Sequence, residues 1–202
     1  LWHCHNARSF RALWALEEMG LDYELEVLPF PPRFLSDGYT DINVLGTVPY
    51  FEDGEAKMTE SSGICHYLVE KYGQWEFGLK ADHAEYGNYL NWLYHSDATL
   101  TFPQTIFLRY TRLEPDENKA AVGADYRKWF LARLRMLNAR VAEHEYLVAD
   151  RFTIADIACH YALFLGESLD IHKDYKPQTL DYLERLKARD GFQRAQAAQG
   201  AP

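Results

Sequence analysis

The stretch Gly46-Thr47-Val48-Pro49-Tyr50 sets a proline beside backbone groups that a ligand can use. Proline has no N–H to give a sheet ladder, so at the start of a strand it marks an edge or a ligand position. A cis Val48–Pro49 bond would turn the N–H and C=O of Val48 outward, where they can pair with the main chain of an extended peptide. The plainer alternative is a trans proline that merely starts an edge strand. A second stretch follows, Met58-Thr59-Glu60-Ser61-Ser62-Gly63-Ile64. A serine at a helix N-terminus presents its hydroxyl and unpaired backbone N–H groups beside the positive end of the helix dipole, an arrangement that binds a carboxylate. Glu60 can pair with an ammonium. The two together can grip an amino-acid head group, which carries both charges; the alternative is a helix cap with a solvated glutamate. Pro49 opens a hairpin and Glu60 closes it eleven residues later, so one hairpin brings a backbone clamp and a head-group clamp to the same edge.

The elements that must position these groups can be read along the chain. Leu1-Trp2-His3-Cys4 reads as a short strand, and Ser9 to Met19 as a helix with Phe10, Leu13, Trp14 and Leu16 at helical spacing, stopped by Gly20. Tyr23 to Leu28 alternates like a strand until Phe30-Pro31-Pro32 breaks it. Residues 33 to 45 are irregular, with room for one short helix. Val48 to Glu52 and Ala56 to Met58 read as strands about the turn Asp53-Gly54; Ser61 is expected as an N-cap, and a helix runs on to Tyr72 before Gly73. The order predicts a mixed four-stranded sheet: a parallel pair with a right-handed crossover, then an antiparallel pair. Past residue 74 strand signals vanish. Helices are expected from Asp82 to about Leu113, interrupted at Pro103; from about Asn118 to Glu143; from Ile154 to Leu165, apolar and buried; and from Pro177 to about Ala188. Phe192 to Ala198 reads as a short terminal helix or a frayed tail. The expected domains are 1–74, α/β, and 82–202, all-helical, with 75–81 as linker.

Composition narrows the function classes. Apolar residues make up 48 % of the 202, charged residues 25 %, and the net charge is -9, which disfavours nucleic acid as a partner. No basic cluster suggests a membrane surface, and the longest apolar runs, such as Tyr161 to Leu165, are too short to span a bilayer. No secretory signal is visible, although the chain begins at Leu1 rather than Met. Three scattered cysteines, Cys4, Cys65 and Cys159, fit a reducing, cytoplasmic setting with buried thiols and no disulfide framework. His3 and His5 alternate at a strand end without a third ligand nearby, so no metal site is expected.

The segments Val48-Pro49 and Thr59-Glu60-Ser61 with Ile64, Tyr67 and Leu68 resemble the glutathione-binding half of the glutathione transferase family. The run from Arg8 to Leu21 resembles that family's first helix, especially in bacterial and theta-like branches. Phe152-Thr153-Ile154-Ala155-Asp156-Ile157 is similar to its capping box, in which Thr153 caps a buried helix and Asp156 returns the bond. The resemblance covers essentially the whole chain. It implies a thioredoxin-like first domain, an all-helical second domain that holds the electrophile, glutathione as co-substrate with no metal, and a symmetric homodimer.

The resemblance also implies roles for residues. In the family, glutathione sulfur is activated as a thiolate by the first helix and a donor in the loop before it. The position that carries serine in theta-like members is here Ala7, which can donate nothing. Asn6, with a side-chain NH₂, is the substitute expected to be catalytic, and Ser9 is the runner-up. Arg8 would add positive potential. Thr47 stands where members often carry a basic residue toward the glycine carboxylate; it gives a neutral hydrogen bond, and Arg33 is a stand-in. With Thr47, the glutathione site would comprise Val48, Pro49, Glu60, Ser61 and Arg8. The second-substrate pocket is expected between the loop before the first helix and the helix from Asp82, drawing on His5, Tyr94, His95, Asp97, Phe102 and Tyr110. Conjugation to small hydrophobic electrophiles is the first function implied. A glutathione-dependent disulfide reductase or lyase is the second, favoured by Ala7. A binding or regulatory module without turnover is the third.

Overall fold

A computed structural model describes residues 1–115 and 117–200; Asp116 and the last two residues of the expected helical domain lie outside the described residues. The chain divides into two compact units. One joins Leu1–Gly78 to the segment from Lys187 onward, and the other is Leu79–Leu186.

In the first unit, β1 (Trp2–Cys4) and β2 (Glu26–Leu28) run parallel, with His3 opposite Val27. They are joined through α1 (Phe10–Met19), as a parallel pair requires. The second strand is shorter than the alternation from Tyr23 suggests. Two short helices, α2 (Pro32–Leu35) and α3 (Tyr39–Ile42), occupy the stretch expected to hold one. β3 (Phe51–Asp53) and β4 (Ala56–Met58) pair antiparallel, Phe51 opposite Met58, about a turn opened by Gly54 at φ +58°. One antiparallel bridge, Trp2 to Tyr50, links the two ribbons: the Trp2 N–H donates to the Tyr50 carbonyl at 2.8 Å. α4 (Ser61–Tyr72) follows.

Both helix stops expected at glycine form. Gly20 has φ +62°, and the Leu21 N–H reaches back to the Leu16 carbonyl at 3.1 Å; Gly73 has φ +67°, and the Gln74 N–H reaches Val69 at 2.9 Å. Glycine takes this left-handed conformation without a Cβ penalty.

α1 is covered nearly all round, which a one-sided apolar stripe does not require: Phe10 to Leu16 are all buried. The extra cover is α11 (Asp190–Ala198), an ordered helix rather than a frayed tail, and it belongs to the first unit rather than the helical one. Phe192 meets Phe10 and Trp14 edge-on at 5.2 and 5.0 Å. Arg189 grips the Glu18 carboxylate with two bonds, 2.7 and 2.9 Å, and Arg194 pairs with Glu17 at 3.0 Å. Burying Phe192 contributes about 2–3 kcal/mol.

In the second unit, the helix expected from Asp82 starts at Tyr86. α5 (Tyr86–His95) continues through a π-helical stretch, Ser96–Thr101, into α6 (Phe102–Leu108) and a second π stretch, Arg109–Leu113. The expected break at Pro103 therefore appears as a widened turn. Proline has no N–H for the carbonyl four residues back, and its ring would crowd that group. The wider turn shifts the ladder, with the Phe102 N–H on the Asp97 carbonyl. The helix expected over 118–143 is two, α7 (Ala120–Arg133) and α8 (Arg135–Glu143), parted at Leu134. α9 (Ile154–Ser168) is buried along Ile154 to Leu163, and α10 is Pro177–Lys187. No helix among the described residues is long and apolar enough to cross a membrane.

The capping box at the start of α9 is present in full. The fully buried Asp156 carboxylate accepts from the Thr153 N–H at 2.9 Å, the Leu147 N–H at 3.0 Å and the Tyr182 hydroxyl at 2.9 Å. Burial pushes its pKa from 3.8 up to about 6 against the pull of these donors.

Candidate functional site

The Val48–Pro49 peptide is cis. The loop that delivers it is held by two donors to one carbonyl, the Tyr39 hydroxyl at 2.7 Å and the Asn43 side-chain amide at 2.8 Å, both on the Thr47 oxygen. Gly46 at φ +58° makes the approach possible; a Cβ there would stand 2.6 Å from the Arg33 Cβ. Pro49 and Tyr50 are buried, Val48 is half-buried and Thr47 is exposed. Among the described residues neither the N–H nor the C=O of Val48 has a backbone partner. The Phe51–Met58 register puts the Val48 loop and the start of α4 at the same end of the hairpin.

At that end Ser61 is the first residue inside α4, and Glu60 occupies the cap position, one residue earlier than the sequence suggested; the Ile64 N–H bonds to the Glu60 carbonyl at 2.8 Å. The shift follows from the extended backbone of Glu60, with φ -95° and ψ 111°. Glu60 is exposed. Ser61 is buried, and its hydroxyl oxygen accepts from the Arg11 guanidinium at 3.0 Å. With its lone pair on Arg11, the Ser61 hydroxyl keeps its proton for an incoming acceptor. Arg11 is fully buried and adds a formal positive charge behind a helix N-terminus. Sequence reasoning passed over Arg11; the available signal was an arginine flanked by Phe10, Ala12 and Leu13 on a helix with apolar faces.

The loop before α1 is tied to the far end of the chain. Asn6 sits at φ +52°, a conformation that asparagine tolerates better than most residues. Its N–H donates to Gln199 Oε1 at 3.0 Å, and its Oδ1 accepts from Gln199 Nε2 at 2.7 Å. Gln199 Oε1 also lies 3.0 Å from His3 Nε2, and the other ring nitrogen of His3 lies 2.7 Å from Ser9 Oγ. Burial pulls the His3 pKa down to about 4, so the ring is neutral near pH 7. Ser9 is fully buried, and its oxygen also takes the Cys4 N–H at 3.4 Å. That placement corrects the expectation for Ser9: its hydroxyl braces the loop and does not reach the surface. His3 is likewise engaged on both nitrogens and is no partner for His5. Asn6 is half-buried, as are His5 and Ala7, while Arg8 is exposed. Gln199 carries no motif, so sequence offered no signal for it.

The helical-unit candidates lie along α5, the π stretches and α6. Tyr94 is 72 % exposed and Phe102 49 %. His95 is half-buried edge-on to Trp92 at 5.4 Å; burial and then the Arg133 charge lower its pKa. Its Nε2 has no hydrogen-bond partner among the described residues. Asp97 is half-buried within the first π stretch, and Phe102 packs edge-on against Tyr126 at 6.1 Å. The Tyr110 ring has two cations over it, Arg109 at 5.8 Å and Lys119 at 5.5 Å from its centroid.

Residues 3–76 match the glutathione S-transferase N-terminal domain, and residues 99–190 match the C-terminal domain. Glutathione S-transferase 3 of Schizosaccharomyces pombe is 28 % identical over 191 residues, covering 88 % of this chain and 76 % of that one. The zeta-class glutathione S-transferase of Euphorbia esula is 31 % identical over 158 residues, covering 74 % and 67 %. The crystal structure of a glutathione transferase from Methylococcus capsulatus superposes with a TM-score of 0.85 at 25 % identity, covering 99 % of this chain and 98 % of that one. The cis Val48–Pro49 peptide, the capping box and both domain matches agree, and the chain belongs to the glutathione S-transferase family, with a thioredoxin-like unit followed by an all-helical one.

Proposed function

We propose that the protein is a glutathione transferase that binds glutathione along the edge beginning at Val48, activates its thiol and joins it to small hydrophobic electrophiles. The observation that carries this reading is the unpartnered Val48 backbone at the same hairpin end as the Ser61 hydroxyl, which is polarised by buried Arg11. The Val48 N–H and C=O would pair with the cysteinyl main chain of glutathione. Its γ-glutamyl carboxylate would accept hydrogen bonds from the Ser61 hydroxyl and the first N–H groups of α4, and Glu60 would meet the ammonium. Thr47 would reach the glycine carboxylate, and Arg8 would add positive potential. Asn6 would donate a hydrogen bond to the sulfur. The thiol proton leaves to water; the thiolate forms the new S–C bond, and the leaving group departs with its electron pair. Tyr94 and Phe102 offer exposed aromatic surface to an apolar electrophile; His5, His95, Asp97 and Tyr110 complete the proposed set.

Retention on immobilised glutathione, followed by conjugation of a chloronitrobenzene, tests the reading. Turnover of a mixed disulfide without conjugation would instead indicate the reductase or lyase reading that Ala7 favours. Absence of both activities and of retention would leave a binding module. Ser61→Ala is expected to weaken glutathione binding about ten- to a hundredfold with kcat held, since a bond to a charged group is worth about 1.5–3 kcal/mol. Calorimetric titration measures it, and unchanged affinity would remove Ser61 from the site.

A cytoplasmic setting and a symmetric homodimer belong to the same proposal. The exposed apolar residues Phe34, Leu35, Val44 and Leu45 support self-association, with Val44 87 % exposed. Light scattering at micromolar concentration should give twice the chain mass, and a monomer would contradict it.

A further inference from the structure

We propose that the second substrate is an aromatic carboxylate, held on the exposed face of α7 by ring contacts with Tyr126 and Trp129 and by an ion pair to Arg133; this rests on the reading of Phe102 as part of the second-substrate pocket. α7 buries Gly123 and Phe130 and turns much of its remaining apolar surface outward. Val122, Tyr126, Trp129 and Arg133 follow one another at spacings of four, three and four, which sets them on one stripe of the helix. Val122 is 41 % exposed and Trp129 39 %. Tyr126 is half-buried and Arg133 is exposed. The rings form a continuous surface. Tyr126 and Trp129 lie 5.1 Å apart with only 31° between their planes. Phe102 on α6 stands edge-on to Tyr126 at 6.1 Å, and the Arg133 guanidinium lies 4.9 Å over the Trp129 centroid.

Tyr126 and Trp129 thus make a floor, and Phe102 a wall. A ring laid there would find the offset and edge-to-face contacts that aromatic pairs prefer. The floor ends in a charge. Arg133 has no carboxylate partner among the described residues, whereas Arg127 on the same helix is paired with Asp174. A guanidinium fork offers a carboxylate two parallel N–H groups. Between residues 120 and 143 basic residues outnumber the two acids, Asp125 and Glu143, although the chain as a whole carries a net charge of -9. A basic stretch on an acidic protein draws an anion to itself rather than to the rest of the surface. Size favours a small ligand over a protein. Four side chains on one helix cannot supply the roughly 800 Å² per partner that a stable protein interface buries, whereas one ring needs no more than this floor. The class narrows the reading from small hydrophobic electrophiles to rings that carry one acid group.

The test uses the full chain and two electrophiles of nearly the same shape: a chloronitrobenzoate, and the chlorodinitrobenzene that carries a nitro group in place of its carboxylate. With either, the glutathione thiolate forms an S–C bond at the chlorinated carbon, and chloride leaves with its electron pair. Calorimetry measures the affinity of each compound, and thioether absorbance measures its turnover. Arg133→Gln is expected to cut the preference for the carboxylate, read as the ratio of the two dissociation constants, about fivefold, the size of a favourable ion pair at the surface. The ratio of the two KM values should move with it. Arg133→Lys keeps the charge and loses the fork, so it should restore part of the preference. Trp129→Leu should weaken both compounds about threefold, as the loss of one aromatic contact predicts. An unchanged ratio in Arg133→Gln overturns the proposal. So does a change of oligomeric state by light scattering with the ratio unchanged, which would make the stripe an interface between copies. If wild type conjugates the chlorodinitrobenzene and the ratio does not respond to Arg133, only the substrate class fails. If the carboxylate binds through Arg133 and neither compound is conjugated, the conjugation reading fails and takes the substrate role with it.

Discussion

Asp156→Ala is expected to destabilise the protein by about 4 kcal/mol, because it strands three buried donors at once. The Thr153 N–H, the Leu147 N–H and the Tyr182 hydroxyl all end on this carboxylate within 3.0 Å, and none has water to fall back on. Each orphaned group costs about 1–3 kcal/mol, partly relieved by relaxation. Against a total stability of about 5–15 kcal/mol, such a loss leaves a chain that urea unfolds at much lower concentration. A midpoint within experimental error of wild type would show that the box does not hold α9.

The same carboxyl makes a signed pH prediction. Its folded pKa, about 6, lies above the ordinary 3.8, so between those values the folded chain keeps a proton that the unfolded chain releases. The stabilising contribution is fully present below about pH 4 and is lost as pH rises through about 6, roughly 3 kcal/mol for a two-unit difference. Asp156→Asn does not titrate. It should flatten that part of the stability profile, while costing about 2 kcal/mol because its NH₂ would face the Thr153 N–H. Urea denaturation of both proteins from pH 4 to 7 measures the difference in slope.

Asn6→Ala is expected to lower kcat about a hundredfold while the KM for glutathione stays within about twofold. Removing one donor aimed at developing negative charge typically costs 10²–10³ in rate. The proposed head-group contacts at Ser61 are on another element and are untouched, so the loss should fall on kcat rather than on binding. Alanine also fits poorly at φ +52°, which adds about 1–2 kcal/mol of backbone cost. Asn6→Gly removes that cost and the donor together. If glycine and alanine both slow turnover to the same degree, the missing amide is responsible. If Asn6→Gly turns over normally, Asn6 is not the donor.

Much of the fold is legible because its signals are local. Gly20 and Gly73 announce helix stops through a backbone conformation that other residues resist. Thr153 and Asp156, three residues apart, announce a cap. Pro49, Glu60 and Ser61 announce one end of a hairpin by spacing alone. The illegible parts depend on partners far away in sequence. Phe192 looks like the start of a weak terminal helix until Phe10 and Trp14 receive it. Ser9 looks like a candidate donor at a helix start until His3 and Cys4 claim its hydroxyl. Arg11 is absorbed into an apolar helix until Ser61, fifty residues on, gives it an acceptor. The π stretches about Pro103 are a third kind of case: proline states that the ladder must change but not how. Of the candidate site, residue types and order supply the expectation at the hairpin end, whereas the bonds that tie the Asn6 loop come from Gln199, 193 residues away.

The seating of α11 on α1 has a consequence for biosynthesis. Translation delivers the strands and the clamp hairpin first, yet the helix that closes over Phe10 and Trp14 leaves the ribosome only after the entire helical unit has been made. At about 5–20 residues per second, the nascent amino-terminal half spends many seconds with that aromatic surface uncovered. The part of the polypeptide synthesised first is therefore the part completed last, and a chain ending at residue 186 would carry the whole helical unit together with an unfinished thioredoxin-like one.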